Sequence, residues 1–202
     1  MANQAAGLKS SRSVGSWAWA RRGIVAWLLL AALAWPAPAA VGGTPPSREY
    51  QVKAVFLFNF TQFVEWPAGA FADSTAPLVI GVLGEDPFGA FLDQTVRGET
   101  AKGRPLVVER YRRVQEIGNC QVLFISRSES ERLGEILASL AGKPILTVGD
   151  IEGFAVRGGV IRLATLGGKI RLRINLDSAK AAKLTISSKL LRPAEIVASG
   201  KD

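Results

Sequence analysis

Leu78-Val-Ile-Gly-Val-Leu-Gly-Glu-Asp-Pro87 decides the fold. Its first six residues are an apolar run of strand length without polar alternation, and the Gly-Glu-Asp-Pro that follows turns the chain into a helical pattern over residues 88–96. A strand apolar on both sides is covered on both faces, the mark of a parallel sheet flanked by helices. The unit recurs downstream. Residues 106–109 (LVVE) and 122–125 (VLFI) are short strands, and residues 128–140 carry Leu133, Ile136, Leu137 and Leu140 at helical spacing. Residues 144–148 (PILTV) add another strand. Residues 160–166 and 170–176 differ, because they alternate in part about Gly167-Gly168. Ile170, Leu172, Ile174 and Leu176 are set against Lys169, Arg171, Arg173 and Asn175, which predicts a β-hairpin with one wetter face.

Upstream, residues 50–66 place Val52, Val55, Phe56, Asn59, Phe60, Phe63 and Val64 three and four apart, an amphipathic helix that Pro67 stops. The chain closes with helical patterns over 179–182 and 189–197, the second with Pro193 inside it. No internal repeat or interdomain linker interrupts residues 50–197. The expectation is a single-domain three-layer α/β sandwich. Its sheet is mostly parallel and flavodoxin- or receiver-like, with five or six strands and an antiparallel hairpin at one edge.

The first 39 residues belong to something else. Lys9, Arg12, Arg21 and Arg22 stand there without a single acid, and residues 23–35 run for thirteen positions without a charge before Ala37-Pro38-Ala39. A basic start, a short apolar stretch and small residues at the exit read as a secretory signal peptide cleaved near Ala39 or Ala40, with an uncleaved signal anchor as the alternative. The apolar stretch is shorter than the about 20 residues a spanning helix needs. Residues 40–49 then form a flexible leader and 198–202 a tail. The full chain carries a net +8, but removing the four leading cations leaves 21 basic against 17 acidic side chains, a net +4. The charge is largely an export address, and it gives no reason to expect a nucleic-acid partner.

Composition also narrows the chemistry. With no histidine there is no Ser-His or Cys-His pair and no imidazole ligand for a metal. Cys120 stands alone, so no intramolecular disulfide can form, and its place before an apolar strand predicts a buried thiol. Glu85-Asp86 sits where phosphoreceivers keep an acidic pair, but the strand that should end in the phosphoacceptor aspartate is followed by Ser126. Asp86 is instead expected to cap the helix that starts near Pro87. No catalytic residues, metal ligands or cofactor motif are assigned.

Four segments taken in order resemble the YfiR-like family of periplasmic proteins. They are Val52-Lys-Ala-Val-Phe-Leu-Phe-Asn-Phe-Thr-Gln-Phe-Val-Glu-Trp-Pro67, then Gly153-Phe-Ala with Gly158-Gly-Val-Ile161, then Ile174-Asn175-Leu176, and Ile186-Ser-Ser-Lys-Leu-Leu191. The resemblance implies a small periplasmic regulator without enzymatic activity or cofactor. The best-known member binds the periplasmic sensor region of an inner-membrane diguanylate cyclase and holds it inactive; relief raises cyclic-di-GMP and favours biofilm. Other members accompany other membrane receptors, sensor kinases among them. This chain departs from the best-known member in its single Cys120, where an intramolecular disulfide is expected.

A protein that works by contact needs a surface of aromatic and apolar side chains with charged residues at its rim. The first candidate is the exposed part of the first helix (Phe58, Gln62, Glu65, Trp66), against the competing reading that Phe58 and Trp66 close the core. The second is the Arg171 and Arg173 face of the hairpin. A homodimer is a further expectation. The alternative function is a small-ligand sensor with a pocket at the carboxyl ends of the strands, near Gly84, Ser126 and Gly149. Asn59, Asn175, Ser187, Ser188 and Lys189 fall in the matching segments and are expected to make internal hydrogen bonds.

Overall fold

The computed structural model describes residues 46–200; the stretch expected to be a signal peptide and most of the expected leader lie outside the described residues. Helix α1 (Arg48–Phe63) starts two residues before the periodicity suggested, because Ser47 caps it by accepting from the Tyr50 N–H at 3.5 Å. It ends where Val64 turns extended and pairs, as β1 (Val64–Glu65), with β9 (Thr185–Ile186).

The main sheet has eight strands. They are β2 (Leu78–Leu83), β3 (Thr100–Ala101), β4 (Arg104–Tyr111), β5 (Val122–Ile125), β6 (Leu146–Gly149), β7 (Ile161–Leu166), β8 (Lys169–Asn175) and β10 (Glu195–Val197). Their order is β10-β8-β7-β6-β5-β2-β4-β3. Strands β4, β2, β5, β6 and β7 run parallel in the doubly wound flavodoxin-like sequence, with β8 antiparallel beyond β7, as expected. The hairpin turns at Gly167 and Gly168, whose φ of 55° and 74° supply the two left-handed positions of a two-residue turn.

Alternation along the buried strands feeds two cores. Ile80, Val82, Phe124 and Val148 pack beneath Ala54, Leu57 and Phe60 of α1 and Leu92 of α2 (Ala90–Val96). On the opposite face Val79, Leu83, Leu123 and Ile125 meet Leu133 and Ile136 of α3 (Leu133–Ser139), together with Phe154. These are the three layers.

Several expectations change. The main sheet holds eight strands rather than five or six, because short segments pair onto both of its edges, so the hairpin is not itself the edge. Residues 189–197 are not one helix: α5 (Ser188–Leu191) stops before Pro193, and Glu195–Val197 pairs parallel to β8 as an edge strand. Proline ends the helix and the unfilled edge of β8 takes the β-branched residues that follow. The helix expected over 128–140 divides into a 3₁₀ turn at Arg127–Glu129 and the shorter α3.

Asp86 does not cap a helix as expected: α2 begins at Ala90 with Gly89 as its N-cap and no side-chain cap bond, and Asp86 instead closes the turn before it. Its Oδ1 accepts from the Phe88 N–H at 2.7 Å, and its Oδ2 takes Arg110 Nε at 2.7 Å. Cys120 is buried, and that burial pushes its thiol up to about 12, so at neutral pH it is an inert small hydrophobe. Asn175 is fully buried, donates to Ala155 O at 2.8 Å and caps α4 (Leu176–Ala181) by accepting from the Ser178 N–H at 3.0 Å.

Gly153-Phe-Ala and Gly158-Gly-Val-Ile161 prove to be one packing device. The Phe154 ring lies against Gly149 and Gly159, where an added Cβ would come within 2.5 Å and 2.1 Å of ring carbons. Gly159→Ala is therefore expected to lose about 1–3 kcal/mol of stability through overpacking. Urea unfolding of the variant beside wild type checks this, and an unchanged midpoint would contradict the cradle.

Candidate functional site

The carboxyl ends of β5 and β6 lie side by side, with Ile125 opposite Gly149. Strand β7 begins opposite Val148, pairs Arg162 with Gly149 and runs on past the end of β6. Two residues beyond β5 stands Arg127, and one beyond β6 stands Asp150. Alternation sends the Asp150 side chain toward the α1 side, because Val148 two residues earlier points there.

A lysine comes down to meet it. Lys53 lies on the same stripe of α1 as Leu57, Phe60 and Val64, and is wholly buried. Its Nζ donates to Asp150 Oδ2 at 2.5 Å and to Glu49 Oε1 one turn earlier. Both the Lys53 and the Asp150 side chains are 0% exposed. Asp150 Oδ2 also accepts from the Tyr50 hydroxyl at 3.0 Å and pairs with Arg127 Nε at 3.2 Å. Glu49 Oε1 accepts from Thr165 Oγ1 at 2.7 Å.

The electrostatics follow from this crowding. The Lys53 ammonium holds the Glu49 carboxyl below the ordinary glutamate range, Thr165 and Arg127 acting the same way. Burial, and after it the Asp150 carboxylate, pushes the Tyr50 phenol up to about 12, so it stays an O–H donor. Thr165 is the hydroxyl nearest to a carboxylate here, yet that carboxylate is a weakened base already committed to Lys53. The carboxylates and hydroxyls of this network are committed to one another, which holds its shape.

Outside the network opens a cavity of about 550 Å³ whose walls include Arg127, Ser130, Asp150, Arg157, Arg162 and Thr165. Thr165 also borders a second hollow of about 380 Å³, lined by Val52 and Phe56 of α1 and by Lys169 and Ile170 of the hairpin. Around it the surface is unusually apolar: Val52 and Val55 are 41% and 44% exposed and Leu166 57%. Val52, Val55, Asn59 and Gln62 follow one another at three- and four-residue steps along the outer face of α1.

The residues named from sequence are distributed as follows. Phe58 and Trp66 are half-buried against the core, and Trp66 Nε1 donates to Gln121 O at 3.1 Å. Gln62 donates to Thr100 O at 3.0 Å, and exposed Glu65 lies 3.8 Å from Lys102, both near β3 at one edge of the sheet. Arg171 is exposed on β8, and Arg173 Nε donates to Glu195 at 3.0 Å, toward the opposite edge. The two candidate faces are thus separate surfaces. Gly84 packs against Ser128 and Glu129, and Gly149 against Phe154, while Ser126 is buried. The cavity starts one residue further along, at Arg127 and Asp150.

Lys53, Asp150, Arg127 and Arg162 were not singled out from sequence. One signal was available for Lys53: a charge on the apolar stripe of a helix requires a buried partner. Nothing local identifies Asp150 as that partner, since 97 residues separate the two.

Residues 50–195 match a family model described as YfiR/HmsC-like. No curated protein sequence matches the chain. Among the described residues no helix is long and apolar enough to cross a membrane.

Lys53→Met leaves the buried Asp150 carboxylate without its closest cation, and a loss of about 3–5 kcal/mol is expected. Adding Asp150→Asn to that variant removes the orphaned charge and should recover part of the loss in chemical denaturation. A depressed glutamate pKa gives stability that is present above the unfolded value, about 4.3, and is lost as pH falls through the folded one. Glu49→Gln should therefore show a shallower loss of thermal stability than wild type as pH is lowered below about 5.

Proposed function

The chain belongs to the YfiR/HmsC-like family, and on that premise we propose that it is a non-enzymatic periplasmic regulator. It binds the periplasmic region of an inner-membrane signalling protein, foremost a diguanylate cyclase that it represses, and so controls cyclic-di-GMP and biofilm formation. Export by the amino-terminal signal peptide brings it to that compartment. The family match over residues 50–195 carries the reading.

Geometry supports it in one particular. A repressor acts only through its difference in affinity for two receptor conformations, so it needs a surface that a receptor can desolvate. The outer stripe of α1 provides one: Val52 and Val55 lie in the open beside the hollow that Phe56 and Ile170 line. Gln62 extends the stripe toward Phe58, Glu65 and Trp66, and Lys169 adds a cation beside the hollow, while Arg171 and Arg173 on the separate hairpin face form the second candidate surface. The alternative, a small-ligand sensor acting with a sensor kinase or another membrane receptor, draws its support from the cavity beside Asp150.

The test is binding of the mature protein to the periplasmic region of the membrane receptor encoded beside it. Val55→Asp changes an exposed side chain and should leave the melting temperature intact while weakening that binding at least tenfold. Arg171→Glu should weaken it less. Absence of binding by the wild-type protein would sink the regulator reading, and full binding by Val55→Asp would move the surface away from α1.

A further inference from the structure

Two buried polar atoms have no hydrogen-bond partner among the described residues, Asp150 Oδ1 and Arg162 Nε, and both belong to walls of the same cavity. Such atoms are costly to leave unsatisfied, and two of opposite kind at one cavity define what a ligand must bring: a donor for the carboxylate and an acceptor for the guanidinium. The Asp150 side chain is 0% exposed and that of Arg162 10%, so neither relies on bulk water.

The remaining polar capacity is cationic. Arg157 reaches Ser130 O only at 3.4 Å and 3.5 Å, contacts too long to hold it, and Arg127 spends its Nε on Asp150 while its side chain stays 59% exposed. Three guanidiniums, of Arg127, Arg157 and Arg162, face two carboxylates, of Asp150 and Glu152, so the walls carry one net positive charge. Behind them Lys53 and Glu49 cancel. A planar carboxylate is the acceptor that guanidinium forks fit best. One such group neutralises the walls, whereas a dianion overcharges them and a zwitterion or neutral molecule leaves the charge uncompensated. The donor to Asp150 is then a neutral hydroxyl. At about 550 Å³ the cavity accommodates a six-carbon skeleton, and Ser130 and Thr165 offer further hydroxyl partners.

We propose that this cavity binds a small monoanionic hydroxycarboxylic acid of sugar-acid size, its carboxylate held by Arg157 and Arg162 and a hydroxyl by Asp150. The proposal deepens the ligand-sensor reading and rests on it, and it is independent of which receptor the protein meets.

Calorimetric titration of the mature protein with D-glucuronate, D-glucose, L-alanine and inorganic phosphate separates the possibilities. Binding of glucuronate at least tenfold tighter than any of the other three is the expected result. Arg157→Ala and Arg162→Gln should each weaken it at least tenfold, while Arg97→Ala, which removes the same charge from the end of α2, leaves it unchanged. Arg157 is exposed, so its variant tests the site even if replacing Arg162 disturbs the fold. Preferential binding of alanine, glucose or phosphate that Arg157→Ala abolishes would overturn the ligand class while leaving a sensor. Binding of none of the four overturns the class and removes the support for the sensor reading. Glucuronate binding untouched by either cavity variant places the site elsewhere and overturns the proposal.

Discussion

A single buried ion pair, Lys53 with Asp150, organises this molecule. The lysine lies among Ala54, Leu57 and Phe60 on the stripe of α1 that faces the sheet, where a charge without a partner would cost several kcal/mol. The aspartate follows directly on the central part of the parallel sheet. Their contact fixes how far along the sheet the amino-terminal half of α1 lies and which of its faces turns inward. Hydrophobic packing alone leaves a helix free to shift by a fraction of a turn; a pair of charges 2.5 Å apart does not. Tyr50 reinforces it twice, its hydroxyl on Asp150 and its ring 4.5 Å from the Lys53 ammonium.

That constraint shapes both surfaces on which function is proposed. Turning Lys53 inward turns Val52 and Val55 outward, one residue before and two after it, onto the exposed stripe. Directing three donors onto Oδ2 of Asp150, a residue of the cavity wall, leaves its Oδ1 without a hydrogen-bond partner. Thr165 borders the charged cavity on one side and the apolar hollow on the other, and its hydroxyl is bonded to Glu49 of the same network. A molecule in the cavity and a receptor on α1 would therefore share a wall, and any influence of one on the other would act through differential contacts with these few side chains.

Much of the architecture was legible because it rests on local patterns. The apolar runs of β2 and β5 gave their strands to the residue, and Gly167-Gly168 gave the hairpin. What escaped were elements whose existence depends on a neighbour. Glu195–Val197 follows a helical segment and becomes a strand only because β8 offers an unfilled edge. Thr100–Ala101 and Val64–Glu65 are two-residue strands with no periodicity to read. The cavity was legible in its place on the sheet and not in the residues that line it. Reasoning from open α/β sheets pointed to the carboxyl ends of the strands at Ser126 and Gly149, and the cavity there is lined from the next residues on, Arg127 and Asp150. Phe58 and Trp66, conspicuous as aromatics, are half-buried against the core, whereas the open apolar surface on the same helix belongs to two valines.

By itself the sequence determined the fold class, the family, and the chemistry that is closed to this chain, since apolar periodicity, glycine turns and the absence of histidine are properties of the chain read in order. Only the tertiary structure decided that Lys53 and Asp150 meet, that Phe154 needs two glycines to seat its ring, and that Asp150 and Arg162 share one cavity. Each depends on residues far apart in the chain becoming neighbours. The strength of a charge pair, a close contact or an unsatisfied polar atom is set by burial and distance, which exist only once the layers have closed.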